Sequence, residues 1–177
     1  MISTMPPLYP VATGFLITSL ALRINGFDIL VDAVGWLLVV FGLSHMEASI
    51  DPVFGKAKVA AIVTLVLSAA ELVGLTVHVV IGLLYGLSRM ATIWLVAEGI
   101  ITRAQAFGDV STASTFNALR WVLAIVSVVG WLIGYTGAPV PIIALIVVII
   151  GLGAILWFTI CLYRSARLPY LVSASRP

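Results

Sequence analysis

Charge is what this chain has least of. Only 9% of its 177 residues are Asp, Glu, Lys or Arg, against about a quarter in soluble domains. The hydrophobic share is 62% and the mean hydropathy +1.22. So few charges do not coat a water-exposed surface of this size, which excludes an ordinary soluble domain. The nine basic residues form no run and leave a net charge of only +2, so the electrostatic footprint of a nucleic-acid binder is missing. One cysteine, Cys161, permits no internal disulfide. It falls near the end of an apolar run and reads as a small packing residue, with palmitoylation as the alternative. Ser19-Leu20-Ala21 has the small-x-small pattern of a signal cleavage site, but no Lys or Arg precedes the apolar run before it. A secretory signal needs that charge, so Met1 onward reads as the mature chain.

What is there instead is a series of apolar runs. A helix needs about 20 mostly apolar residues to cross a bilayer. The runs fall at about 8–22, 31–46, 59–84, 89–106, 118–135 and 142–163. The predicted fold is all-α: one integral membrane helical bundle, residues 1–177, of six transmembrane helices. Pro6, Pro7 and Pro10 mark the first helix start. Arg23-Ile24-Asn25-Gly26 is the turn of a first hairpin, because Asn-Gly is a strong turn signal. Five spans result if the first run only dips into the membrane. The stretch from Val59 to Ile101 is long enough for two spans, with a turn expected at Gly82 to Ser88. His45 to Lys58 and Thr102 to Asn117 are expected as polar loops, Thr136 to Pro141 as a turn, and Arg164 to Pro177 as a polar tail. The two small-x-x-x-small motifs, Gly82/Gly86 and Gly130/Gly134, permit close helix approach but are common in glycine-rich apolar helices. No tandem repeat is evident.

Orientation follows from the bases. Six spans put Lys56, Lys58, Arg103, Arg120, Arg164, Arg167 and Arg176 on one side, and Arg23 and Arg89 on the other. The first group, and with it both termini, is expected in the cytoplasm. Tyr85 and Tyr135 then fall at the outer interface, and Trp121 and Tyr163 at the inner one. The sixth run is apolar all round and is expected to face lipid on most sides.

Ionisable groups inside a bilayer cost about 2.5–3.5 kcal/mol each on insertion scales and need partners. Glu71 and Glu98 are the deepest. A turn centred on Gly86 sets them at similar depth, where they would share a proton and one carboxyl would stay protonated. A turn near Val80 instead pairs Glu71 with Arg89. His78 lies seven residues after Glu71, on the same helical face, with Ser68 nearby. Glu98, Thr102 and Gln105 make a second polar stripe. Glu71, His78 and Glu98 are therefore the candidates for proton chemistry, against the plainer reading of a polar network that fixes packing. No His, Cys and carboxylate set suggests a metal site. No Ser-His-Asp signature or phosphate-binding glycine loop occurs, and no cofactor is implied.

A second polar cluster is Arg23, Asn25, Asp28 and Asp32. Asp28 and Asp32 are four apart and share a helical face. Paired carboxylates suit a hard cation holding a diphosphate, as in the Asp-x-x-x-Asp motif of intramembrane prenyltransferases. Those enzymes need a second aspartate-rich motif, and here only Asp51 and Asp109 remain, each alone. The plainer reading is that Asp28 and Asp32 cap the second helix, with Arg23 paired to one of them. This cluster is the candidate ligand- or partner-recognition edge.

The stretch Arg23-Ile24-Asn25-Gly26-Phe27-Asp28-Ile29-Leu30-x-Asp32-x-x-Gly35-Trp36-x-Leu38, followed by Gly42-Leu43, resembles a group of small, uncharacterised polytopic membrane proteins of Gram-positive bacteria. Those relatives commonly have Pro where Val31 stands, and often Tyr at Trp36. The resemblance covers about twenty residues in detail and most of the chain in layout. It implies a multi-pass protein of a bacterial plasma membrane and brings no activity. The leading expectation is a non-enzymatic accessory, assembly or binding protein. Its partners would be the lipid bilayer and a second copy or another membrane protein, and not nucleic acid. The alternatives are a proton-coupled transporter subunit relaying through Glu71, His78 and Glu98, and an intramembrane enzyme on a lipid or isoprenoid with a Glu as general acid.

Overall fold

Proline, glycine and aspartate set the helix ends. The computed structural model describes residues 6–20, 28–72, 79–136 and 141–172. All regular structure among them is helical: α1 (Leu8–Leu20), α2 (Asp28–Ser49), α3 (Phe54–Leu72), α4 (Val79–Ala106), α5 (Val110–Thr136), α6 (Pro141–Ser165) and the single turn α7 (Pro169–Val172). Pro6 and Pro7 precede α1 and Pro141 opens α6, where a missing N–H costs nothing. Asp28 is the first described residue of α2; its side chain, and Arg23 and Asn25, lie outside the described residues, and with them the expected cap and the Arg23 pairing. Between α2 and α3, Asp51 Oδ1 accepts the Val53 N–H at 2.9 Å, and Pro52 prevents the first helix from continuing. Between α4 and α5, Gly108 takes φ +73°, the left-handed conformation that ends a helix at little cost to glycine. Asp109 then caps α5, its Oδ1 accepting the Thr112 N–H at 3.0 Å.

These compact links correct the expected boundaries. The polar loops shrink to residues 50–53 and 107–109. The turn expected at Gly82 to Ser88 is absent, because α4 runs unbroken from Val79 to Ala106. Glycines are tolerated there because a helix satisfies its own backbone groups in an apolar surround. Gly86 is also covered by the Trp131 ring, 2.5 Å from where a Cβ would stand. The link between α3 and α4 is residues 73–78, outside the described residues.

Each helix packs antiparallel on the next, and α6 packs on α1, so that α1 to α6 form a closed ring. The α1–α2 crossing is the tightest: a Cβ on Gly35 would lie 2.9 Å from the Gly14 carbonyl oxygen, and one on Gly42 would lie 2.8 Å from that of Pro7. The ring closes through the Thr13 hydroxyl and the Tyr163 hydroxyl, 2.8 Å apart, and through the Tyr9 and Tyr163 rings at 5.8 Å. Inside it, Trp36, Phe15, Phe158 and Phe116 meet edge to face in succession, with centroids 5.8, 5.8 and 5.7 Å apart.

The exterior is as apolar as the core. Ile142, Leu145, Val148, Ile149 and Leu152 of α6 are all exposed, as its unbroken hydropathy requires. Among the described residues three helices, Val80–Ala106, Val110–Gly134 and Ile142–Ser165, are long and apolar enough to cross a membrane. The 13-residue α1 spans roughly 20 Å, less than a hydrocarbon core of about 30 Å.

Candidate functional site

One cluster of polar groups lies at the end of the ring where α4 begins and α5 ends. Tyr85 and Arg89 stand one helical turn apart on α4 and share a face. The Tyr85 hydroxyl donates to Asp32 Oδ2 at 3.1 Å and accepts the Trp36 Nε1–H at 3.3 Å. Asp32, read from sequence as a helix cap or recognition residue, therefore sits in a polar layer between α2 and α4. Trp36 is fully buried.

Beside this layer is a cavity of about 450 Å³. Tyr85, Gly86 and Arg89 of α4, Ser127 and Trp131 of α5, Gly151 of α6 and Ser19 of α1 all face it. Arg89 comes ten residues after Val79, the start of α4, roughly 15 Å along the axis. That is well inside the apolar span. Among the described residues it makes no ion pair and no hydrogen bond. A cation at that depth needs an anionic or strongly polar partner, and the space next to it is open. Towards the opposite end the interior is filled: Ile93 and Ile155 line the cavity, and Phe15, Phe116 and Phe158 are packed in the ring.

Glu98 is placed differently. It pairs with Arg120 of α5, and the Arg120 guanidinium lies 4.6 Å from the Trp94 ring centroid. The α4 groups facing α3 are Thr92, 3.4 Å from the Thr64 hydroxyl, and Gly99, against Phe54. Thr102 and Gln105, the rest of the expected stripe, are exposed. Glu98 does not line the cavity. The Glu71 side chain and His78 lie outside the described residues. Ser68 is wholly buried on α3 with no hydrogen-bond partner among them. No group of three metal-ligating side chains comes together among the described residues.

At the opposite end, Arg103 is buried and donates from Nη2 to the Tyr170 carbonyl at 2.9 Å, with Asp51 at 3.8 Å. It also lies 5.2 Å from the Phe107 ring centroid, and that ring stacks on Tyr170. The Tyr170 hydroxyl donates to Asp109 Oδ2 at 2.9 Å. Hydrogen bonds from Thr112 and then Tyr170 hold the Asp109 carboxyl below its usual range, while burial and that same bond push Tyr170 up to about 12. These contacts latch α7 to the α4–α5 link.

Sequence reasoning left Glu71 open between Glu98 and Arg89, placed Tyr85 in an interfacial belt and counted Arg103 only as a topology marker. The i, i+4 spacing of Tyr85 and Arg89 in an apolar run was the available signal for the cavity. Asp109-x-x-Thr112 was the signal for the α5 cap, and no local signal marked the latch to Tyr170.

No protein-family model, no curated protein and no solved structure matches this chain.

Proposed function

We propose that this chain is a six-span protein of a bacterial plasma membrane, with both termini cytoplasmic, and that it binds a ligand rather than catalysing a reaction. The ligand class is an anionic amphiphile whose head group is held beside Arg89, Tyr85 and Ser127. The observation that carries this is Arg89: a cation deep in an apolar helix, without an ion-pair partner among the described residues, facing an open cavity. Trp131, Gly130 and Gly151 offer an apolar wall for a chain. The filling of the ring by aromatic side chains towards the other end favours a one-sided binding site over a through-path. Among the described residues no carboxylate lines the cavity. Glu98 is engaged by Arg120, which supports binding over a relay or general-acid chemistry built on that residue.

The test is thermal unfolding of the purified protein with dodecyl phosphate or with dodecylphosphocholine added. Dodecyl phosphate should raise the midpoint in the wild type by linkage to the folded state, and should do so much less in Arg89→Gln. An equal shift in both proteins, or an equal shift with both amphiphiles, would reject the reading.

A further inference from the structure

A second cleft, remote from the Arg89 cavity, lies where α5 begins and α6 ends. It measures about 360 Å³ and is lined by Ser111, Thr112 and Thr115 of α5 and by Trp157, Arg164 and Ser165 of α6. Arg164 is exposed, and among the described residues it makes no ion pair. A neighbouring cleft on its other side, about 490 Å³, is lined by Tyr9, Tyr163 and Arg167. Arg167 is already engaged, its Nε donating to the Tyr9 hydroxyl at 2.9 Å. Among the described residues, the carboxylate next to the α5 wall of the cleft is Asp109, and it is also engaged: Oδ1 accepts the Thr112 N–H, and Oδ2 accepts the Thr112 and Tyr170 hydroxyls. Among the described residues, Arg164 is therefore the uncommitted charge of the two clefts, beside the Ser165 and Ser111 hydroxyls.

Depth selects the occupant. Arg164 follows Pro141 by 23 residues on one helix, roughly 34 Å, which is about one hydrocarbon thickness plus its edge. That is head-group level. Trp157 lies two turns deeper on the same face of α6 and is half exposed to the surround. The cleft thus runs from a guanidinium and hydroxyls at head-group depth to an aromatic wall at acyl-chain depth. We propose that this cleft binds an anionic phospholipid of the leaflet on the side of the α4–α5 link, with the phosphate on Arg164 and the Ser165 and Ser111 hydroxyls and an acyl chain along Trp157; the Thr112 and Thr115 hydroxyls already donate to Asp109 and to the Ser111 carbonyl. Basic clefts between helices at this level suit anionic head groups, whose charge is concentrated in the adjoining leaflet.

The test is native mass spectrometry of the full chain released from detergent with equimolar phosphatidylglycerol and phosphatidylcholine of matched chains. The wild type should retain one phosphatidylglycerol with about tenfold preference, and Arg164→Gln should lower that retention by about fivefold or more. Arg164→Lys should retain part of it, and Arg167→Gln should leave it unchanged. Ser165→Ala, which keeps the charge, should lower it by about twofold. Arg89→Gln is measured alongside, so that a lipid held in the other cavity is counted separately. Undiminished phosphatidylglycerol retention in a folded Arg164→Gln protein overturns the proposal, as does equal retention of both lipids by the wild type. Displacement by millimolar inorganic phosphate, with phosphate itself retained, would make the ligand a soluble anion and overturn the lipid assignment.

Discussion

The Tyr85 hydroxyl bridges Asp32 and Trp36, donating to the first at 3.1 Å and accepting from the second at 3.3 Å. It joins α4 to α2, which are not neighbours in the ring. Tyr85→Phe keeps the ring and removes the bridge. Leaving buried polar atoms without that partner should cost about 1–3 kcal/mol. Chemical unfolding in detergent micelles is the measurement. A cycle with Trp36→Phe should be clearly non-additive; additive losses would mean that the bridge contributes nothing.

The crossing of α1 and α2 depends on glycines whose missing side chains let two backbones meet. Gly35→Ala would bring a methyl to 2.9 Å from the Gly14 carbonyl oxygen and should destabilise by about 1–3 kcal/mol through forced separation. Gly134→Ala would meet nothing within 4 Å among the described residues and should change stability by less than about 0.5 kcal/mol. The Gly130-x-x-x-Gly134 motif then fails as a packing device within this chain, despite its sequence signature. Equal effects at both sites would contradict the packing described.

The α7 latch should have a pH window. The folded Asp109 carboxyl titrates below its ordinary value of 3.8, so its contribution is present above that value and is lost as pH falls through the folded value. The folded Tyr170 titrates at about 12 against an ordinary 10.0. Its contribution is whole below pH 10 and is lost as pH rises towards 12. Hydrogen exchange of residues 166–172 should therefore be slowest, after correction for intrinsic rate, between those limits. Tyr170→Phe should abolish the alkaline step and leave α7 less protected throughout.

The Arg120–Glu98 pair predicts an asymmetric cycle. Glu98→Gln alone strands the Arg120 charge beside Trp94, and should cost about 1–2 kcal/mol given that the Glu98 side chain is 45% exposed. Adding Arg120→Leu should recover most of that loss, since the stranded charge disappears with it. A double variant as unstable as the sum of the singles would show that the two residues act independently.

Much of the architecture was legible from residue types. The near-absence of charge pointed to a lipid-like surround, and the polar stretches His45 to Lys58 and Thr102 to Asn117 marked two links, because polar residues interrupt an apolar run locally. The α3–α4 boundary was misread because glycines that would break a helix in water do not break one in an apolar medium. The latch was missed because Arg103 and Tyr170 lie 67 residues apart, and nothing local relates them.

What the sequence determined alone is the class of molecule, an all-helical chain with helices long and apolar enough to cross a membrane, since this follows from summed hydropathy. Which faces meet was decided only by the tertiary structure. In a helix apolar on every side, hydropathy carries no direction, so Glu98 could be matched with Glu71 or Arg120, and Arg89 with Glu71 or with nothing described. Antiparallel packing resolves the first choice by bringing Arg120 of α5 to the level of Glu98 on the facing side of α4. The closed ring then leaves Arg89 beside a cavity whose walls come from α1, α4, α5 and α6 together.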